Sequence, residues 1–277
     1  GNPDFQAIEA TEFSQFHHQD LFESYRQYHG EDLTNDWCQA MSEQLIRPQY
    51  HGCEHLNVSL WMSDLRSGYI ETKTAFDNNF YGLTTVTSSP RQNNYLAAFW
   101  AESESQLKYA KQRLELGMSL FKDAFGFRSS TFIPCNFILP AELEYVLDSH
   151  GVNLIQGQRG QFVPEPMGGA GYIRRTYTGK RSLFGPQYSV RNVVFEPFES
   201  SKIDWVAKAL WEIGESFLFR RPAIVSTHRV NYVSGMSRPH RNRSLQLLDR
   251  LLGSIRKRWP DVEFITSDEL VALMKSS

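Results

Sequence analysis

The feature that most constrains this chain is the alternation that begins at Ser130. Apolar runs Ser130–Pro134, Val152–Ile155, Asn192–Glu196, Ala223–Thr227 and Val262–Ile265 read as strands. Stretches with helical spacing lie among them: Ala141–Ser149, Ile203–Phe219, Arg243–Trp259 and, last, Asp268–Met274. Strand and helix in turn predict parallel strands joined by crossovers. In such folds polar groups at the carboxyl ends of strands form the site. Upstream, Leu107, Ala110, Leu114, Met118, Phe121 and Phe125 repeat at helical spacing and predict a helix over Ser103–Phe125.

The first half is less regular. Asn2-Pro-Asp-Phe5 reads as a turn, followed by helices over Ser14–Tyr28, ended by Gly30, and Thr34–Ile46, stopped by Pro48. Residues 66–94, rich in Gly, Asn, Ser and Thr, read as an irregular excursion over the site, and Asn94–Phe99 as a strand. Residues 156–187 read as loop; Gly168-Gly-Ala-Gly171 lacks the spacing of a nucleotide-binding turn. Without a repeat or a low-complexity linker, the expectation is a single domain over 1–277.

Composition excludes some functions. A net charge of -2 gives no basic surplus for nucleic acid. No apolar run approaches the length of a membrane span. The three cysteines, Cys38, Cys53 and Cys135, are too few and too irregularly spaced for a disulfide framework, and Cys53 reads as a buried filler. Aromatic residues make up 13%, enough for a sugar-stacking cleft, although most such rings fill cores.

Two places carry chemistry. In Pro48-Gln-Tyr-His51-Gly-Cys-Glu-His55-Leu-Asn57, two histidines four residues apart are expected on one face of a helix start, where both rings can reach one metal ion. His228 follows the apolar run Ala223–Thr227 and so falls at a strand's carboxyl end, with Arg229 and Asn231 beside it. Asn192 and Glu196 bound another strand. Arg229, Asn231, Asn192 and Glu196 are candidate sugar contacts, against the simpler reading of structural polar groups at a barrel rim.

These segments together resemble the polysaccharide deacetylase (NodB-like) family, in a bacterial branch found with surface-polysaccharide genes. The resemblance spans Asn2–Phe5, Pro48–Asn57, Phe125–Pro134, Arg191–Pro197, Ser226–Tyr232 and Trp259–Phe264. It implies a distorted barrel of about seven βα units, an α/β fold of the glycoside hydrolase/deacetylase kind. It implies a divalent metal, zinc above others, on His51, His55 and a carboxylate. It further implies that His228 is the general acid and that the substrate is an N-acetylated polysaccharide or oligosaccharide.

The chain departs from the family twice. The family's strand with paired aspartates, one a ligand and one the base, is expected ahead of Asn2, and no Asp-Asp pair occurs anywhere. The barrel is therefore expected to be incomplete at its N-terminal strands, with exposed edges that favour a homodimer. At Phe132-Ile-Pro134 the family's base-orienting arginine is missing. The compartment stays open between cytoplasm and cell envelope. Two alternatives stand beside the deacetylase. One is a carbohydrate-binding scaffold that has lost turnover. The other is an inverted-zincin peptidase built on His51-x-x-Glu54-His55, with Glu54 as base.

Overall fold

A computed structural model describes residues 1–83, 95–166, 169–233 and 237–276. Part of the expected lid, residues 84–94, lies outside them, as do Asn94 of the expected strand and Gly168 of the glycine run. The fold mixes helices with several small sheets. None of these sheets closes into a barrel among the described residues. The chain divides into two compact units, Gly1–Tyr188 with Ser267–Ser277, and Ser189–Thr266.

The first unit is built on a short parallel array. Thr131 and Phe132 pair with Leu154 and Ile155, and Tyr50 bridges to Phe132 in parallel. The Ile133 N–H donates to the Tyr50 carbonyl at 3.0 Å. One core packs Tyr50, Phe132, Cys135, Leu143, Leu147 and Ile155 against Leu114 and Phe121 of the Glu104–Phe125 helix. That helix starts where the sequence predicts. Ser103 Oγ accepts the Gln106 N–H, and Gly126 ends it in the left-handed conformation at φ 76°. A second core in this unit gathers Phe5, Ile8, Leu56, Trp61, Leu65 and Phe76.

Several expectations fail locally. The first long helix is Leu21–His29 rather than Ser14–Tyr28, because Asp20 and Glu23 form a capping box that sets its start. The Val58–Arg66 helix ends where the expected excursion begins, and the excursion itself holds a further helix, Ile70–Asp77. Residues 95–99 form turns instead of a strand; Tyr95 is spent locally, its carbonyl accepting the Asn57 N–H and its hydroxyl meeting Asp64. The expected loop over 156–187 holds an antiparallel hairpin, Gly160–Val163 with Tyr172–Arg175. Its outer strand carries exposed Tyr172 and Ile173, so no alternating pattern marks it. Val262–Ile265 is not a strand.

The second unit repeats the parallel logic on a smaller scale. Val193 and Val194 pair with Val225 and Ser226. The Trp205–Leu218 helix, capped by Asp204, packs on the Arg238–Arg258 helix. Val193, Phe195, Trp205, Ile213, Leu251 and Ile255 form its core.

Candidate functional site

His51 and His55 do not sit on a helix. Gly52 takes φ +113°, a left-handed conformation that breaks any helical run between them. The helix begins only at Val58, where Asn57 Oδ1 accepts the Leu60 N–H at 3.1 Å. The two rings nevertheless converge, with centroids 5.0 Å apart. They do so because Tyr50 is locked into the strand array and Asn57 into the helix cap. Asn57 Nδ2 also donates to the Trp100 carbonyl at 2.8 Å, which anchors the far end of the loop.

A third group joins them from the neighbouring strand. Phe132 lies beside Tyr50, so the chain running on from Phe132 follows the chain running on from Tyr50. His51 Nδ1 lies 2.6 Å from the Ile133 carbonyl. That contact makes Nδ1 the protonated nitrogen and leaves the lone pair on Nε2, as in metal-ligating histidines. Cys135 then lies with its thiol 3.1 Å from the His51 carbonyl. The ligating atoms of His51, His55 and Cys135 all fall within 4.8 Å of one another. Asn136 and Phe137, which follow the cysteine, both have positive φ, 51° and 56°. Such backbone is uncommon for residues other than glycine.

The donor set fits a divalent cation. Burial lowers the pKa of His55, which keeps its imidazole neutral and able to ligate. His55 Nδ1 is buried without a hydrogen-bond partner among the described residues, a cost that ligation would remove. Burial, and next the charge of Glu54, raise the Cys135 thiol well above its ordinary range. A bound cation reverses that preference, since thiols coordinate as thiolates. Sequence reading missed Cys135. The nearest signal was its place just after the Ser130–Pro134 run.

Glu54 is not available to this group. Its two carboxylate oxygens accept from Arg113 Nε at 2.8 Å and Nη2 at 2.7 Å. Arg113 Nη2 also touches Cys53 Sγ at 3.2 Å. Glu54 thus forms a buried ion pair with Arg113 of the Glu104–Phe125 helix.

The second unit builds its own constellation from strand register. Val194 pairs with Ser226, so two residues further along each parallel strand Glu196 comes beside His228. His228 Nδ1 lies 2.7 Å from Glu196 Oε1. The imidazole is 67% exposed while the carboxylate is 5% exposed. Asn231 Nδ2 donates to Glu196 Oε2 and to the His228 carbonyl, each at 2.8 Å. Asn231 Oδ1 accepts the Phe198 N–H at 2.8 Å. A buried carboxylate so held orients an imidazole and presents its other nitrogen to solvent. Asn192 serves the fold: its amide donates to the Pro222 carbonyl at 2.9 Å and accepts the Ile224 N–H at 2.7 Å. Arg229 is exposed beside the histidine.

No protein-family model matches this chain, and no curated protein is significantly similar to it. Among the described residues no helix is long and apolar enough to cross a membrane.

Proposed function

We propose that this protein is a metal-dependent hydrolase that removes acetyl groups from N-acetylated sugars of a polysaccharide, on a fold derived from the deacetylase barrel. One observation carries the reading. His51 and His55, at the end of a parallel strand array, converge with a third donor to within 4.8 Å. His51 and His55 with that third donor would hold a zinc-class ion, which when bound would supply polarisation of an amide carbonyl and a lowered pKa of water. His228, which Glu196 orients and Asn231 braces within the second unit, takes in this reading the role of proton donor to the leaving amine that the family resemblance assigns it. Glu196 and Asn231 are positioning residues in this reading, and Arg229 is the exposed candidate for sugar contact. The test is acetate release from an N-acetylated oligosaccharide, before and after chelation. Release that depends on metal and falls in His51→Ala and His228→Ala supports the proposal; no release from a zinc-loaded chain refutes it.

A second reading follows from the same donors. The group contains no carboxylate among the described residues, and so no evident base. A chain without a base would bind the sugar and leave it intact. Binding of the same oligosaccharide without release of acetate selects this alternative. The peptidase reading loses its base, because both Glu54 oxygens are taken by Arg113.

A further inference from the structure

We propose that Cys135 is the third protein ligand of the site, making a two-histidine, one-thiolate centre for a zinc-class cation. The inference rests on the metal-site reading above and names the ligand which that reading leaves open. It departs from the carboxylate that the family resemblance implies.

Three observations carry it. First, the thiol shares a 4.8 Å cluster with both histidines, and the acid nearest in sequence, Glu54, is held bidentately by Arg113. Tetrahedral zinc with ligand distances near 2.0–2.3 Å places donors about 3.5 Å apart, so modest side-chain closure completes the site. Second, Cys135 is held rather than loosely packed. It is fully buried, its thiol contacts the His51 carbonyl at 3.1 Å, and its loop carries two residues at positive φ. The other buried cysteine, Cys53, is turned instead to Arg113 and lies outside the group. Third, His55 Nδ1 is buried and unpartnered among the described residues. A ligand bond at the ring would remove that cost.

The donor chemistry selects the cation. Imidazole with thiolate suits zinc or cobalt, whereas magnesium and calcium require oxygen. On binding, the Cys135 S–H bond breaks, a sulfur–metal bond forms, and the proton leaves to solvent. No oxidation state changes.

The test is cobalt(II) titration of the full chain, followed in the near ultraviolet, with zinc affinity measured by competition. The expected result is one equivalent of cobalt with a thiolate-to-cobalt charge-transfer band. The band should vanish in Cys135→Ser and persist in the Cys38→Ser/Cys53→Ser double variant, where Cys135 is the sole thiol. Zinc affinity in Cys135→Ser should fall by more than the about 10–100-fold that loss of an outer partner costs. If Cys135→Ser fails to fold, the sole-thiol variant decides, since its band can come from Cys135 alone. Stoichiometric binding that needs His51 but shows no charge-transfer band in the sole-thiol variant overturns the thiolate and spares the metal site. Absence of bound metal in the parent, or uptake unchanged in His51→Ala, overturns both.

Discussion

Gly117 shows how one missing side chain positions the site. A Cβ there would lie 2.9 Å from both Cβ and N of Cys53, and against the Tyr50 hydroxyl, which donates to the Leu114 carbonyl. Alanine is the better helix former by about 1 kcal/mol, but overpacking of this kind costs about 1–3 kcal/mol. Gly117→Ala is therefore expected to lower the melting temperature. It should also weaken zinc binding, because the displaced loop carries His51; thermal denaturation beside zinc competition checks both. At the same scale, under the proposed hydrolase reading, His228→Ala should lower kcat by about 10²–10⁴-fold with little change in KM, the share usual for a positioned proton donor. Glu196→Gln should lower kcat while leaving zinc content unchanged. Loss of zinc in that variant would contradict a role confined to orienting His228.

Individual elements are tied to the loop that carries His51 and His55 through two anchors. The Val58–Arg66 helix depends on Asn57, a buried cap that also donates to the Ala97 and Trp100 carbonyls. Asn57→Ala should cost at least the about 0.5–2 kcal/mol of a lost cap, measured by denaturant unfolding. The Glu104–Phe125 helix is joined to the loop by Arg113 and Glu54, whose side chains are 16% and 3% exposed. Breaking a buried pair leaves an uncompensated charge, at a cost of about 3–5 kcal/mol, whereas replacing both partners can be nearly neutral. Arg113→Met alone should therefore destabilise strongly. Arg113→Met with Glu54→Leu should recover most of the loss; a double variant no better than the single one would contradict this account.

For the whole molecule, acid sensitivity is expected from His18. Burial first, and then the charge of Arg113, hold its pKa below the ordinary 6.5. Arg113 Nη2 approaches its Nδ1 at 3.5 Å, which suits a neutral ring. The unfolded chain binds this proton near pH 6.5, the folded chain only at lower pH. The unfolded state thus gains protons first, and stability falls as pH drops through 6.5 toward the depressed folded value. His18→Gln should flatten that part of the stability profile, read from denaturation midpoints across the range.

Much of the architecture was legible from local pattern. The Glu104–Phe125 and Ala141–Ser149 helices, the parallel pairing of Thr131–Phe132 with Leu154–Ile155, and the placing of His228 past a strand end all follow from periodicity and breakers. These are short-range properties, carried by the residues themselves. What local pattern cannot supply is partnership between distant segments. Cys135 carries no signal along the chain until the Tyr50–Phe132 bridge brings it to His51, 84 positions away. Glu196 reads as a rim acid until strand register sets it against His228. Glu54 reads as a peptidase base until Arg113 closes on it. The sequence by itself determined which residues could bind a metal or carry a proton, because that is side-chain chemistry. The tertiary structure decided which of them meet, because strand register and helix packing set distances that no spacing along the chain encodes.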